Sequence, residues 1–316
     1  MGKIAFVFPG QGAQAVGMGQ DAFEQSAESR AYFERADQVL GFSLSELIFS
    51  GPDTELKLTY NTQPALLTVS MAYLAPLAAA GIRPDVVAGH SLGEYSALVA
   101  AGVIGFEDAV KTVRLRGEFM DQAVPAGQGA MAAVLGADRE RLGELCRHIT
   151  DTVGTVELAN VNCPGQIVVS GTAQGVAAVA ERGKEAGAKR VIPLEVSGPF
   201  HSSLMRAAAD RLKAHLAGLT LRAADVPVVA NVTAQPVREA EDIRRLLAEQ
   251  VVSPVLWEDS VRTMLADGVD VFLEIGSGTV LAGLIRKIDK AATVLSVNSM
   301  AAAEEAIRVV SGVGRG

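Results

Sequence analysis

Val86-Val87-Ala88-Gly89-His90-Ser91-Leu92-Gly93-Glu94-Tyr95-Ser96-Ala97-Leu98-Val99 decides how this chain folds. Val86, Val87 and Ala88 form a short apolar run entered from the turn Arg83-Pro84-Asp85, which reads as a strand. Leu92, Tyr95, Ala97, Leu98 and Val99 then recur at helical spacing. Between strand and helix lies Gly89-His90-Ser91-Leu92-Gly93, a G-x-S-x-G pattern. In that pattern a serine sits on a sharp strand-to-helix turn, with glycines where backbones pass closely. The serine then stands at a helix N-terminus, where free N–H groups favour developing negative charge. The same spacing also suits a plain βα turn whose glycines serve packing alone.

Composition narrows the choice. The chain has 316 residues, 49% hydrophobic and 20% charged, so it is globular and can bury a large core. A net charge of −8 argues against nucleic-acid binding. Cys146 and Cys163 are the only two cysteines, with neither disulfide nor metal-ligand spacing, which suits a reducing cytoplasm. The start, Met-Gly-Lys-Ile-Ala-Phe-Val-Phe, is too short an apolar run for a signal peptide and reads as a first strand. No charge occurs between Lys57 and Arg83, a length that could span a bilayer. Asn61, Gln63, Pro64, Thr68, Ser70 and Pro76 interrupt it, so it is expected to be a buried helix opened by Pro64 and closed by Gly81.

Outward from the elbow, residues 3–8 read as a strand and 21–40 as a helix. Gly10, Gly12 and Ala15 fit a loose dinucleotide fingerprint. Gly17 and Gly19 interrupt the helix that should follow, and no second strand carries a ribose-binding acid. The loop is left to present backbone N–H groups to an anion. Helices are expected at 44–49 and from Phe106 to about Met120, with a break at Pro125-Ala126-Gly127. Residues 128–197 then read βαββαβ, a ferredoxin-like order. Their strands are expected at 130–135, 155–160, 166–170 and 190–195, with a turn over residues 162–165. Strands at 226–231, 269–275 and 293–297 and several helices follow. The expected fold is α/β: a large unit of residues 1–127 and 198–316, interrupted by a small unit of residues 128–197.

A serine hydroxyl needs a base to take its proton. His90 neighbours Ser91, so its side chain should point elsewhere. His148 and His215 lie in amphipathic helices and read as surface or boundary residues. His201, in Ser197-Gly198-Pro199-Phe200-His201-Ser202, follows a Gly-Pro turn just before a helix, in the kind of loop that carries catalytic groups. It is the candidate base. No third acidic member is evident, and a hydrolase of this architecture would place its histidine near the C-terminus.

Gly10-Gln11-Gly12-x-Gln14, Gly89-His90-Ser91-Leu92-Gly93-Glu94, Arg116-Gly117, Asn160-x-Asn162-x-Pro164-x-Gln166, Phe200-His201-Ser202 and Gln250-x-x-x-Pro254-Val255-x-Trp257 occur in that order. With these motifs the chain resembles, over essentially its whole length, the malonyl-CoA:acyl-carrier-protein transacylases of fatty acid synthesis. The resemblance implies an α/β-hydrolase-like large subdomain carrying a ferredoxin-like insert. It implies that Ser91 takes malonyl from malonyl-CoA as an ester and passes it to the phosphopantetheine thiol of acyl carrier protein. His201 would be the base, oriented by the Gln250 main-chain carbonyl, which would explain the missing acid. Backbone N–H groups of Gln11 and Leu92 would form the oxyanion hole, the second also following from elbow geometry. Arg116, which by its helical position alone reads as a solvated arginine, would hold the malonyl carboxylate. Phe200 resembles the bulky residue of malonyl-selective relatives. Asn160, Asn162 and Gln166 are expected to be structural groups near the cleft. No metal or redox cofactor is implied.

Three other readings stay open on sequence: a serine thioesterase or carboxylesterase, a non-catalytic binder of CoA or carrier protein, and a transferase of branched or polyketide extender units. An acidic carrier should need a local cationic patch, for which Lys189-Arg190 and Arg286-Lys287 are the candidates.

Overall fold

Strand β1 (Lys3–Phe8) lies near the middle of a six-stranded sheet, buried from Ala5 to Phe8. The structure is a computed structural model describing residues 2–313; residue 1 and residues 314–316, counted with the outer segments above, lie outside the described residues. The other strands, in chain order, are β2 (Val86–Gly89), β3 (Gly129–Leu135), β4 (Val156–Cys163), β5 (Gln166–Thr172), β6 (Arg190–Pro193), β7 (Val228–Val229), β8 (Pro236–Val237), β9 (Val269–Ile275) and β10 (Thr293–Val297). The six-stranded sheet has the order β10-β9-β1-β2-β7-β8, parallel except for β8. Buried strands such as Val-Val-Ala-Gly read as continuous apolar runs because helices cover both faces.

A second sheet, of order β4-β5-β3-β6, is antiparallel throughout. Helices Arg139–Thr152 and Ala173–Arg182 pack on it around Leu142, Ile149, Val169 and Val179. Strand β4 is tied to the segment ahead of helix Trp257–Ala266 by backbone hydrogen bonds: Val161 N–H donates to Val255 O at 2.9 Å and Val255 N–H to Ala159 O at 2.8 Å.

Four local expectations need correction. The uncharged helix runs Thr59–Ala79, so Pro64, like Pro76, lies inside it rather than at its start. A proline removes the N–H that the carbonyl four residues back would accept. Both orphaned carbonyls find side chains instead: Arg114 Nη1 donates to Tyr60 O at 3.3 Å, and buried Ser29 Oγ donates to Ala72 O at 2.8 Å. Gly81 closes this helix with φ 78°. The helix expected over 21–40 is two, Gln20–Gln25 and Ala27–Leu40, because Ser26 turns extended and caps the second through Ser29 N–H. The β4–β5 turn is only Pro164-Gly165, which puts Asn162 inside β4 and Gln166 at the start of β5. The strand expected at 226–231 holds pairing only over Val228–Val229, and the chain leaves the sheet before Asn231. No helix among the described residues is long and apolar enough to cross a membrane.

The chain turns after β1, β2, β7 and β9 all lie at the C-terminal edge of the parallel sheet, where α/β proteins gather ligands.

Candidate active site

Ser91 sits between β2 and the helix Leu92–Ala100 with φ 50° and ψ −106°. Only three non-glycine residues among those described have positive φ, and Ser91 and His201 are two of them. Such backbone is strained and persists only where surrounding contacts hold it. Here the contacts are explicit. A Cβ on Gly89 would lie 1.9 Å from Gly93 backbone, and one on Gly93 would lie 2.0 Å from Phe8 O, so both positions must be glycine. Asn231, entirely buried, clamps the turn from the β7 side. Its Oδ1 accepts Ser91 N–H at 2.7 Å and its Nδ2 donates to Gly89 O at 2.6 Å.

His201 Nε2 is 2.7 Å from Ser91 Oγ, and His201 Nδ1 is 2.9 Å from the Gln250 carbonyl oxygen. A carbonyl only accepts, so Nδ1 carries the ring proton and Nε2 is left free to accept from the serine. Burial, reinforced by the positive charge of Arg116, pushes the His201 pKa from 6.5 down to about 3. The ring is therefore neutral at physiological pH and competent as a base.

Arg116 comes from the helix Phe106–Gln122 and is 1% exposed, contrary to the solvated position its spacing suggested. Its Nη1 donates to Gln63 Oε1 at 2.7 Å, and its Nη2 to Gln250 Oε1 at 2.8 Å and Ser91 Oγ at 3.1 Å. None of these acceptors carries a full charge, and Arg116 Nε has no partner at all. The Tyr95 ring lies 5.5 Å from the guanidinium carbon. Burial lowers the Arg116 pKa, opposed by Tyr95 and Glu94. A desolvated cation whose direct partners are all neutral is a receptor for an anion.

These groups open onto a cavity of about 470 Å³ between the two sheets. Gln11, Leu92, Arg116, Phe200 and His201 line it, together with Met120 and Met131. Leu92 is the first residue of its helix, so its N–H has no acceptor one turn back. Asn160, Asn162 and Gln166 line the opposite wall, carried there by the short β4–β5 turn. His90 turns away from Ser91 to bring Nε2 within 2.8 Å of Asn162 Oδ1, and burial lowers its pKa. Of the remaining histidines, His148 is exposed and His215 Nε2 is 3.0 Å from Thr112 Oγ1. Lys189, Arg190, Arg286 and Lys287 are exposed, and Lys287 Nζ donates to Gln166 Oε1 at the cavity wall, at 3.2 Å. No group of three or more His, Cys, Asp or Glu poised to hold a metal occurs among the described residues.

Residues 5–308 match the model of the acyl transferase domain family. The chain belongs to that family. A malonyl CoA-acyl carrier protein transacylase of Bacillus subtilis is 54% identical over 310 residues, 98% of either chain. The crystal structure of an acyl carrier protein S-malonyltransferase from Vibrio cholerae superposes with a TM-score of 0.94 at 44% identity, covering 96% of this chain and 99% of that one. A malonyl-transacylase solved in complex with a type II PKS acyl-carrier protein gives a TM-score of 0.94 at 41% identity, covering 97% of this chain and 99% of that one.

Three polar residues of this acyl transferase escaped the sequence reading of the site: Gln63, Asn231 and the side chain of Glu94. Glu94 is 3% exposed, and its Oε2 accepts Gln250 Nε2 at 2.7 Å and Asn231 N–H at 3.2 Å. Burial pushes its pKa up to about 7, against the pull of those donors and of Arg116. Glu94 was visible as a charge inside an apolar helix, and Gln63 as a polar residue in the uncharged one. Asn231 carried no such mark.

Proposed function

We propose that this acyl transferase moves malonyl from malonyl-CoA to the phosphopantetheine thiol of an acyl carrier protein through a malonyl-Ser91 ester, supplying extender units for fatty acid synthesis in the cytoplasm. The names of its relatives support the substrate and the carrier. The buried, anion-free guanidinium of Arg116 beside Ser91 Oγ carries the reading, because it answers a free carboxylate that acetyl-CoA lacks.

In the proposed sequence, His201 Nε2 takes the Ser91 proton as Oγ attacks the thioester carbonyl. The oxyanion rests on the N–H groups of Gln11 and Leu92. The tetrahedral adduct collapses, and His201 returns the proton to the departing CoA thiolate. CoA leaves, and the carrier's thiol then attacks the malonyl ester by the same steps in reverse. Gln250 O keeps the imidazole in one tautomer throughout, in the place where a triad would use a carboxylate. Phe200 closes the wall beside His201 and favours the unbranched acyl group. Lys287 at the cavity wall, with Arg286, Lys189 and Arg190, offers the cations for an acidic carrier.

The two sheets support dividing the chain into an α/β-hydrolase-like unit of residues 1–127 and 198–316 and a ferredoxin-like insert of residues 128–197, with the cavity between them.

Intact-mass measurement after mixing the protein with malonyl-CoA or acetyl-CoA, without carrier, tests this function. A lasting malonyl adduct, favoured over acetyl and absent in Ser91→Ala, is expected. CoA release without an adduct would point to a hydrolase, and no reaction to a binding protein.

A further inference from the structure

We infer that Glu94 is a positioning residue for malonyl selectivity: its carboxylate sets the Gln250 amide, and through it Arg116, against Ser91. The inference rests on the reading of Arg116 as the carboxylate receptor.

Glu94 lies about one helical turn past the nucleophile, and its carboxylate meets two segments that reach the elbow separately. One is Asn231, beyond β7, whose side chain holds Ser91 N–H. The other is Gln250, at the end of helix Ala240–Gln250. Gln250 is held at both ends of its chemistry. Its backbone carbonyl fixes His201, and its side-chain Oε1 receives Arg116 Nη2 at 2.8 Å.

The Gln250 amide can do this in only one orientation. Its Nε2 faces Glu94 Oε2 at 2.7 Å, Ser91 O at 3.0 Å and Asn231 Oδ1 at 3.2 Å. Glu94 is the nearest of these, and its side-chain oxygen is aimed directly at the amide nitrogen. A flipped amide would turn its NH2 against guanidinium N–H groups and its oxygen against three acceptors. Glu94 therefore dictates which end of Gln250 meets Arg116, and so where the guanidinium stands relative to Ser91 Oγ. Glu94 does not line the cavity. A carboxylate buried there costs more than a leucine would, and the hydrogen bonds it organises account for its presence.

Two conservative variants separate reach from charge. Glu94→Gln keeps an oxygen at the right distance and discards the charge. Glu94→Asp keeps the charge and withdraws the oxygen by one methylene. The measurement is the ratio of malonyl to acetyl acylation rates of Ser91, by rapid-quench intact mass, alongside the melting temperature. Glu94→Gln should keep the ratio within about twofold. Glu94→Asp should lower it about tenfold, the scale of leaving one buried donor without its acceptor, while acetyl acylation persists. An unchanged ratio in Glu94→Asp, an equal loss for both acyl groups, or a ratio lost in Glu94→Gln would each overturn the inference. If Glu94→Asp does not fold, Glu94→Ala takes its place: a ratio lowered about tenfold supports the inference, and an unchanged ratio overturns it. A wild-type enzyme without malonyl preference would instead remove the reading of Arg116 on which it stands.

Discussion

Arg116 Nη2 stands 3.1 Å from Ser91 Oγ, so the site holds a buried cation within hydrogen-bond reach of the elbow serine. An esterase of simple acyl groups has no use for that arrangement, because the cation is expensive to desolvate and does not itself attack. On the proposed function, a carboxylate carried by the acyl group would repay the cost. Arg116→Ala should therefore slow acylation by malonyl-CoA by roughly 30- to several-thousand-fold, from the ~2–5 kcal/mol lost when one partner of a buried charge pair is truncated. Acetyl acylation should survive or rise. Comparing single-turnover rates for the two thioesters checks this, and equal losses would refute the role.

The pH dependence follows from His201. Burial and Arg116 hold its folded-state pKa down at about 3, below the ordinary 6.5. The unfolded chain thus binds a proton in that window that the native chain does not. The stability from this neutral histidine is fully present above about pH 6.5 and is lost as pH falls toward 3. Acetyl acylation of Ser91 should accordingly show no inflection near pH 6.5, since Nε2 stays free to accept a proton. In Arg116→Ala one cause of the depression is gone, and the acidic limb should move upward. Rates of acetyl-enzyme formation in both proteins, followed from neutral pH down to the most acidic pH at which both stay folded, would show this; an unmoved limb would mean that Arg116 does not tune the histidine.

The elbow, the first strand and the βαββαβ order were legible in the sequence because each is a local pattern: an apolar run, a turn, a helical period. Ser91 was legible from the G-x-S-x-G pattern between strand and helix, and His201 because, of the four histidines, it alone follows a Gly-Pro turn ahead of a helix. Arg116 was not, since helical spacing places it beside solvated neighbours and only the packing of three helices buries it. Pro64 misled for a related reason. Its missing hydrogen bond argued for a helix start, whereas an arginine 50 residues later satisfies the orphaned carbonyl. Asn231 lies 140 residues from the serine whose N–H it holds. Contacts at such separation leave no periodicity to read.

Asn231→Ala tests that clamp. It would leave Ser91 N–H and Gly89 O without side-chain partners in a buried place, at about 1–3 kcal/mol for each unsatisfied group. The expected result is a lower urea midpoint with an unchanged slope. Relaxation of the strained serine should also slow acylation by malonyl and acetyl alike, which distinguishes this position from Arg116. A midpoint equal to wild type would show that the elbow holds its geometry without the asparagine.

Phe200 sets the last prediction. It is 6% exposed and lines the cavity immediately before His201, with Met120 and Met131 on the same lining. Malonyl held between Arg116 and Ser91 would present its central carbon to that wall, and a methyl branch there would meet the phenyl ring. One methylene in an apolar pocket is worth about 1–3 kcal/mol. Phe200→Ser should therefore raise methylmalonyl acylation relative to malonyl by on the order of tenfold. Removing a large buried ring also costs stability, so the ratio must be read below the variant's melting temperature. Competition of the two thioesters for Ser91, resolved by intact mass, gives that ratio directly. A ratio equal to wild type would move the source of selectivity from Phe200 to the Met120 and Met131 side of the cavity.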